Sequence, residues 1–185
     1  MPQLFFVKGS VSAGYAAVPA VYESGAFAFK NLAGYTFGGK LKIGSPFQRY
    51  SFTGSLFYTR VEGTSSYFGV VPAVEGYVAP ATGNTVAVFS TNAGFDYAVL
   101  YLSPVLFSLS GEIGLNAIST GGNSAIARYG AVLGAGAEVS LSPAVAASLE
   151  ASYRVTNLFV RESGEGLLGI VQLSLHLFFT FFTLP

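Results

Sequence analysis

Apolar and polar residues alternate along most of this chain with a period of two. In Tyr129–Leu141, for example, the odd-numbered positions are apolar or small, and the even-numbered positions include Glu138 and Ser140. A period of two is typical of a β-strand whose two faces lie in different surroundings, whereas an amphipathic helix repeats every 3.6 residues. We therefore predict strands that carry one apolar and one more polar face.

The alternating pattern recurs along the whole chain and predicts eight strands. The predicted segments are Phe5–Tyr15, Tyr35–Ile43, Tyr50–Tyr58, Phe89–Tyr101, Val105–Leu115, Tyr129–Leu141, Val145–Val155 and Val171–Phe181. All of them are longer than the usual strand of about five or six residues in soluble proteins. Their length suggests that each strand crosses a layer thicker than the core of a small soluble sheet.

The predicted connections alternate between short and long. The short ones are Gly44–Gln48, Leu102–Pro104 and Leu141–Pro143, and the long ones are Ala16–Ala33, Glu62–Asn84, Ser119–Arg128 and Asn157–Gly166. Short turns at one end, long loops at the other and an even strand number are typical of outer-membrane β-barrels. A sheet in lipid must also close, because an open edge would leave its main chain unpaired. We therefore predict an all-β fold: a closed, up-and-down, antiparallel transmembrane β-barrel of eight strands, forming a single domain over residues 1–185.

The composition agrees with a membrane location. The chain is 51% hydrophobic and only 10% charged, with a mean hydropathy of +0.55, whereas soluble domains average about 25% charged residues. The formal net charge is zero, which argues against nucleic acid as a partner. The chain has no cysteine, so disulfides and thiolate metal sites are excluded. No signal peptide is recognisable in MPQLFFVKGS, so an exported form is expected to be a mature chain with an added Met1.

Two other architectures are less consistent with the sequence. The segment Gly166–Pro185 approaches the length of a membrane helix, but it contains Gln172 and His176 and is rich in Phe and Thr. A soluble barrel with an apolar interior would reverse every assignment of faces. Its exterior would then carry only about one charge per strand, which is low for a soluble surface.

Most charged side chains fall on the face opposite the apolar row, which is the barrel interior in this interpretation. The predicted interior polar network comprises Lys8, Lys40, Lys42, Asp96, Glu112, Glu138, Glu150, Arg154 and His176. An eight-stranded barrel is just wide enough for side chains to fill it, so these charges should pair and form a polar plug instead of an open channel. A tight turn at Leu102–Pro104 would place Asp96 roughly opposite Glu112. Adjacent carboxylates repel, so one of them would take a proton or share a lysine or arginine. Arg60, near a rim, is the expected outward exception.

These features together resemble the small outer-membrane barrels of the OmpA/OmpX/PagP type. The resemblance rests on the eight alternating segments, the Ser-Pro turns and the ending GIVQLSLHLFFTFF, and it covers the whole chain as an architecture, not as a diagnostic motif. The final strand is similar to the assembly signal of such barrels, although Thr183, Leu184 and Pro185 follow the last aromatic residue. The resemblance implies a location in the outer membrane, both termini in the periplasm and four long loops outside the cell.

Two of the long loops, Ala16–Ala33 and Tyr67–Asn84, are unusually apolar for exposed segments. They could prolong the barrel wall as hairpins that pack on one another. They could instead form a contact surface for a protein or an apolar ligand. The residues predicted for that contact surface are Val18, Tyr22, Phe27, Phe29, Tyr67, Phe68, Val71 and Tyr77.

Catalysis is poorly supported by the sequence. The one histidine, His176, is expected inside the barrel as a structural residue, and the interior carboxylates are matched by basic residues, which favours ion pairs over acid–base chemistry. No dinucleotide, phosphate, zinc or calcium motif is present, so we expect no cofactor and no metal.

We therefore predict a non-enzymatic outer-membrane barrel that acts as a structural or interaction protein. One form of this function is a subunit of a larger outer-membrane complex, weakly supported by small outward residues at Ala131, Ala135, Ala137, Ala147 and Ala151. The expected partners are outer-membrane lipid and other outer-membrane proteins. The alternative is a small conduit for ions or apolar molecules, distinguished by a continuous wet path through the interior. A lipid-modifying barrel enzyme is a more remote alternative.

Overall fold

The computed structural model describes residues 5–24, 27–45, 47–67, 84–121, 124–161 and 164–184, with only the main chain considered for Tyr67 and residues 182–184. Within these ranges the chain forms nine strands and no helix. The strands are β1 (Phe5–Ala17), β2 (Tyr22–Ser24), β3 (Phe27–Gly44), β4 (Tyr50–Tyr67), β5 (Thr85–Leu102), β6 (Val105–Thr120), β7 (Ile126–Ser140), β8 (Val145–Val155) and β9 (Gly169–Leu184). No helix in the described residues is long and apolar enough to cross a membrane.

Eight of these strands form a closed antiparallel ring. Strands β3 to β9 pair in chain order, and β1 closes the ring because it pairs with β9 on one side and with β3 on the other. The short strand β2 lies outside the ring and pairs with β3. Closure gives every strand of the ring two neighbours, as a sheet in lipid requires. The predicted eight-stranded up-and-down barrel is therefore confirmed.

The two ends of the barrel differ in height. At one end, here called the turn end, β3–β4, β5–β6 and β7–β8 are joined by short connections, and β1 begins and β9 ends there. The opposite end, here called the loop end, carries the remaining connections, of which β4–β5 and β8–β9 are long. The β6–β7 connection spans only residues 121–125, so the long loop predicted over Ser119–Arg128 is shorter than expected. Strands β3, β4 and β5 each contain 18 residues, whereas about 9–11 residues suffice to cross a bilayer. The wall formed by these strands therefore rises beyond the lipid at the loop end.

The outward face is apolar and the inward face is more polar, as the alternation predicts. The exposed outward side chains include Val11, Leu56, Ile113, Leu133 and Leu175. Tyrosines face outward in two groups: Tyr15, Tyr35, Tyr58, Tyr129 and Tyr153 toward the loop end, and Tyr50, Tyr97 and Tyr101 toward the turn end. Aromatic girdles of this kind mark the two interfaces of the lipid with water. A soluble barrel with inverted faces does not fit this surface.

One predicted proximity inside the barrel is wrong. A β-bulge lies in the β5–β6 ladder between Ala98 and Leu100, so Asp96 pairs with Ser110, while Glu112 pairs with Gly94. An extra residue on one strand shifts the register beyond it. Asp96 and Glu112 are therefore offset by two positions along the wall, and a different lysine contacts each of them.

Candidate functional site

The barrel interior contains a polar, ionic layer toward the turn end and an apolar layer at the loop end. In the first part of the ionic layer, Lys8 Nζ lies 2.9 Å from Glu138 Oε1, and Lys42 Nζ lies 3.3 Å from Glu138 Oε2. Lys42 Nζ also lies 2.5 Å from Asp96 Oδ2. The chain of contacts Lys8–Glu138–Lys42–Asp96 links β1, β7, β3 and β5 across the interior.

Lys40 is the centre of the second part of the ionic layer. Its Nζ lies 3.2 Å from Glu112 Oε1 and 2.9 Å from Glu150 Oε2, so one lysine bridges two carboxylates on β6 and β8. Ser55 Oγ donates a hydrogen bond of 2.6 Å to Glu112 Oε2. Lys40 is only 3% exposed, and buried ions persist only where such partners surround them.

His176 and Arg154 complete the predicted set, but they are held differently. His176 Nδ1 shares a hydrogen bond of 2.7 Å with Ser12 Oγ, and its Nε2 lies 3.9 Å from Glu150 Oε2. Arg154 is 2% exposed, and its guanidinium lies 5.6 Å from the centre of the Phe57 ring. Among the described residues, Arg154 has no ion-pair partner within 4.0 Å. The structure therefore joins eight of the nine predicted residues by short contacts and leaves Arg154 beside them.

An apolar cluster, here called the cap, closes the interior at the loop end. It consists of Ala16, Val18, Tyr22, Phe29, Leu32, Val61, Val86, Val88, Ile118, Leu168 and Ile170, each at most 5% exposed. The hairpin of β2 and the start of β3 supplies part of it, and within that hairpin the rings of Tyr22 and Phe29 stack with centroids 6.1 Å apart. The first apolar loop is thus a hairpin that turns its side chains into the mouth of the barrel.

The cap corrects the predicted contact surface. Val18, Tyr22 and Phe29 are 5%, 2% and 0% exposed, so their side chains belong to the interior and are not available to a partner. Phe27 packs against the same cluster. Apolar side chains above the lipid must leave water, and the open mouth of the barrel provides that space. The other predicted contacts, the Tyr67 side chain, Phe68, Val71 and Tyr77, lie outside the described residues.

A buried polar latch holds the β8–β9 connection against the cap. Arg128 contacts Glu165 Oε2 through Nε and through Nη2, both at 2.9 Å. Asn157 Nδ2 donates to Glu165 Oε1 at 2.9 Å, and the Gly166 amide donates to the Glu23 carbonyl oxygen at 2.8 Å. The sequence analysis missed this latch, although Arg128 has the same even parity as inward-facing Glu138 on β7.

The loop end also exposes apolar side chains that the sequence analysis did not select. Leu158, Phe159 and Val160 are 42%, 63% and 58% exposed. The Phe159 amide donates to the Tyr129 carbonyl oxygen at 3.4 Å, which places this segment at the level of the upper tyrosine girdle. Val21 and Leu167, at 47% and 40% exposed, are further apolar side chains at this end.

The turn end of the interior contains a cavity of about 380 Å³, lined by residues that include Lys8, Lys42, Arg49, Asp96 and Glu138. The cavity is bounded by the turn-end side of the Lys8–Glu138–Lys42–Asp96 contacts and by the β3–β4 turn. The described residues contain no group of three or more His, Asp or Glu side chains that could hold a metal ion.

Comparison with known proteins identifies the fold. No protein-family model matches the chain, and no curated protein sequence matches it. Among solved structures, the Neisserial surface protein A (NspA) superposes with a TM-score of 0.56 at 18% identity, over 96% of this chain and 97% of that one. The chain has the fold of a small outer-membrane β-barrel. OprG from Pseudomonas aeruginosa gives a TM-score of 0.47 at 10% identity over 97% of both chains, and Ail of Yersinia pestis gives 0.44 at 16% over 98% of this chain and 100% of that one.

The resemblance to small eight-stranded outer-membrane barrels is thereby confirmed at the level of the fold. NspA is a barrel of Gram-negative bacteria, and the exposed apolar belt of this chain is consistent with the same surroundings. An identity of 18% supports a shared fold only. The activity and partners of this chain must therefore be argued from its own residues.

Proposed function

We propose that this chain is a sealed, non-enzymatic outer-membrane barrel that works as a structural or interaction protein, with its loop end outside the cell and both termini in the periplasm. The observation that carries the proposal is the cap. Eleven residues from around the barrel and from its first hairpin fill the loop end of the interior. A barrel closed in this way offers its surface, and not its interior, to other molecules.

The cap argues against passage of ions. An ion crossing this layer would lose its water among side chains such as Phe29, Val61 and Ile170, each 0% exposed, and an unpaired ion in apolar surroundings is very costly. Below the cap, the ionic layer crosses the interior from wall to wall. Conduction needs a continuous wet path, and the two layers together oppose one.

The arrangement of the interior also favours a non-enzymatic role. The carboxylates Asp96, Glu112 and Glu138 each contact a lysine. His176 is 1% exposed and stacks against Phe178 with centroids 5.8 Å apart. Groups enclosed and paired in this way lack the access to substrate that acid–base chemistry needs.

The segment Leu158–Val160 is the contact surface that the structure favours. Its side chains are exposed and apolar, and the latch between Arg128 and Glu165 fixes the connection that carries them. A rigid, exposed apolar segment is typical of a contact surface. Because Phe159 lies at the level of the upper tyrosine girdle, it can reach a neighbour in the same membrane. We therefore propose another outer-membrane protein as the partner.

A small conduit remains the second candidate, and one observation favours it. Arg154 Nε, Ser90 Oγ and Asn116 Oδ1 are buried without a hydrogen-bond partner in the described part of the chain. Buried polar atoms of this kind are usually satisfied by internal water. A hydrated middle section would support conduction if the cap opened.

Two measurements test the proposal. In planar bilayers, the purified barrel should show no conductance steps, and steady steps would favour the conduit. Co-purification from native outer membranes in mild detergent should yield a stoichiometric membrane partner that Phe159→Ser loses. The matched control is Phe47→Ser at the turn end, because Phe47 is 68% exposed and Phe159 is 63% exposed. A partner that Phe159→Ser retains, or no partner at all, would overturn the interaction surface.

A further inference from the structure

The lipid-facing wall contains a groove of about 720 Å³ where β1, β3 and β4 meet. Its floor includes Gly9, Gly39 and Gly54, and its sides include the rings of Phe37 and Phe181. Elsewhere most of the outward wall carries bulky side chains such as Leu133, Leu149 and Leu175. A depression of this size in the apolar belt is within the range of about 300–1,000 Å³ that is usual for small-molecule sites.

The glycines create the groove. A Cβ built on Gly54 would meet nothing within 4 Å, so this position is open to the outside. At Gly9 a Cβ would lie 2.5 Å from Phe181 Cε2. The Phe181 ring therefore lies directly over the main chain of β1 and forms one side of the groove. A larger residue at Gly9 would displace that ring.

The groove also overlies a break in the barrel wall. The β1–β3 ladder pairs Gly9 with Leu41 and resumes at Ser12 with Gly38, with no main-chain pairing between these two points. The Ser10 hydroxyl occupies the break: it accepts a hydrogen bond of 3.0 Å from the Lys40 amide and donates one of 3.3 Å to the Lys40 carbonyl oxygen. The main chain of Lys40 is therefore hydrogen-bonded here by a side chain and not by the main chain of β1.

We propose that this groove binds one acyl chain of a membrane phospholipid. The groove lies on the outward face between the two tyrosine girdles, so a hydrocarbon chain is the ligand that its surroundings supply. Gly54 lies four residues from Tyr50 of the turn-end girdle and four from Tyr58 of the loop-end girdle, so the floor is near the middle of the lipid layer. The lining glycines and the rings of Phe37 and Phe181 offer such a chain apolar contacts.

Native mass spectrometry of the full chain with phosphatidylethanolamine tests the proposal. The wild type should keep one phospholipid under activation that removes the others. Gly54→Leu places a side chain in the groove and should weaken retention about tenfold, the effect of excluding about two methylene groups. The matched control is Gly111→Leu, because Gly111 also faces outward and a Cβ there would meet only Leu133 Cδ2, at 3.8 Å. The control should bind like the wild type.

Several outcomes would overturn the proposal. The wild type could retain no phospholipid, or Gly54→Leu could retain as much as the wild type. The control Gly111→Leu could also lose as much phospholipid as Gly54→Leu. A dimer that disappears in Gly54→Leu would show that a second copy occupies the groove. If Gly54→Leu does not fold, Phe37→Ala removes one side of the groove without adding bulk and should also weaken retention. Partner co-purification through Phe159 should not change in these variants, so failure of this proposal is distinguishable from failure of the proposed function.

Discussion

Lys40 is the side chain whose loss should most disturb the interior. Its ammonium bridges Glu112 and Glu150 at 3.2 and 2.9 Å, and the side chain is only 2% exposed. Lys40→Met keeps much of the aliphatic length but leaves two buried carboxylates without their common cation. Removing one partner of a buried ion pair costs about 3–5 kcal/mol. We therefore expect the free energy of unfolding to fall by about 3–5 kcal/mol.

The measurement is equilibrium unfolding in denaturant, with the barrel reconstituted in lipid or detergent. Lys8→Met is the matched control, because the Lys8 side chain also contacts a glutamate but is 25% exposed. A partly exposed pair is worth about 1 kcal/mol or less, so Lys8→Met should cost much less than Lys40→Met. Adding Glu112→Gln to Lys40→Met should recover part of the loss. Equal costs for the two lysine variants, or a Lys40→Met cost below about 1 kcal/mol, would refute the reasoning.

Three further predictions concern the cap, the latch and the wall. Phe29→Ala should lower the free energy of unfolding by about 3–5 kcal/mol, since Phe29 is fully buried in the cap. Planar bilayers containing this variant should also show conductance steps that the wild type lacks. An unchanged free energy of unfolding would contradict the packing. Arg128→Met removes the Arg128–Glu165 ion pair and should make the β8–β9 connection more sensitive to limited proteolysis. An unchanged cleavage rate would contradict the latch. Ser10→Ala should lower the free energy of unfolding by about 1–3 kcal/mol, because the Lys40 amide loses its acceptor. That amide should also exchange its hydrogen with solvent faster than in the wild type. An equal exchange rate would show that the hydroxyl is dispensable.

The strands and their faces could be predicted because lipid and interior impose opposite demands on successive residues. Lys40 and Lys42 on β3, for example, share a parity opposite to exposed Leu41, and the structure buries both lysines. The same alternation placed Glu138 inside. It could not reveal which charges touch, because contacts depend on register and barrel curvature. Arg154 shows this limit, since its parity is correct but it lies beside the Phe57 ring without an ion-pair partner in the described part of the chain.

The hairpin part of the cap could not be predicted from alternation, because the alternation is interrupted near the start of β3. The β3–β4 ladder shifts between Lys30 and Ala33, and Asn31 there adopts a φ of 53°. Asparagine is one of the few residues other than glycine that accept this left-handed conformation. Beyond the irregularity, Phe29 is buried in the cap, although simple alternation from Tyr35 would turn it outward. Apolar residues that suggested a contact surface are therefore interior residues.

The order of the two interior layers has a physical consequence for the ionic layer. An ion pair is worth more where water is scarce, because the local dielectric constant is lower. The cap packs apolar side chains at the loop end, and the cavity beside Lys8 lies at the turn end. Lys40, between them, is 3% exposed, whereas the Lys8 side chain at the turn end is 25% exposed. The apolar cap thus strengthens the ion pairs of Lys40 without contributing a partner to them. Both interior layers therefore favour the proposed structural or interaction role over the proposed conduit.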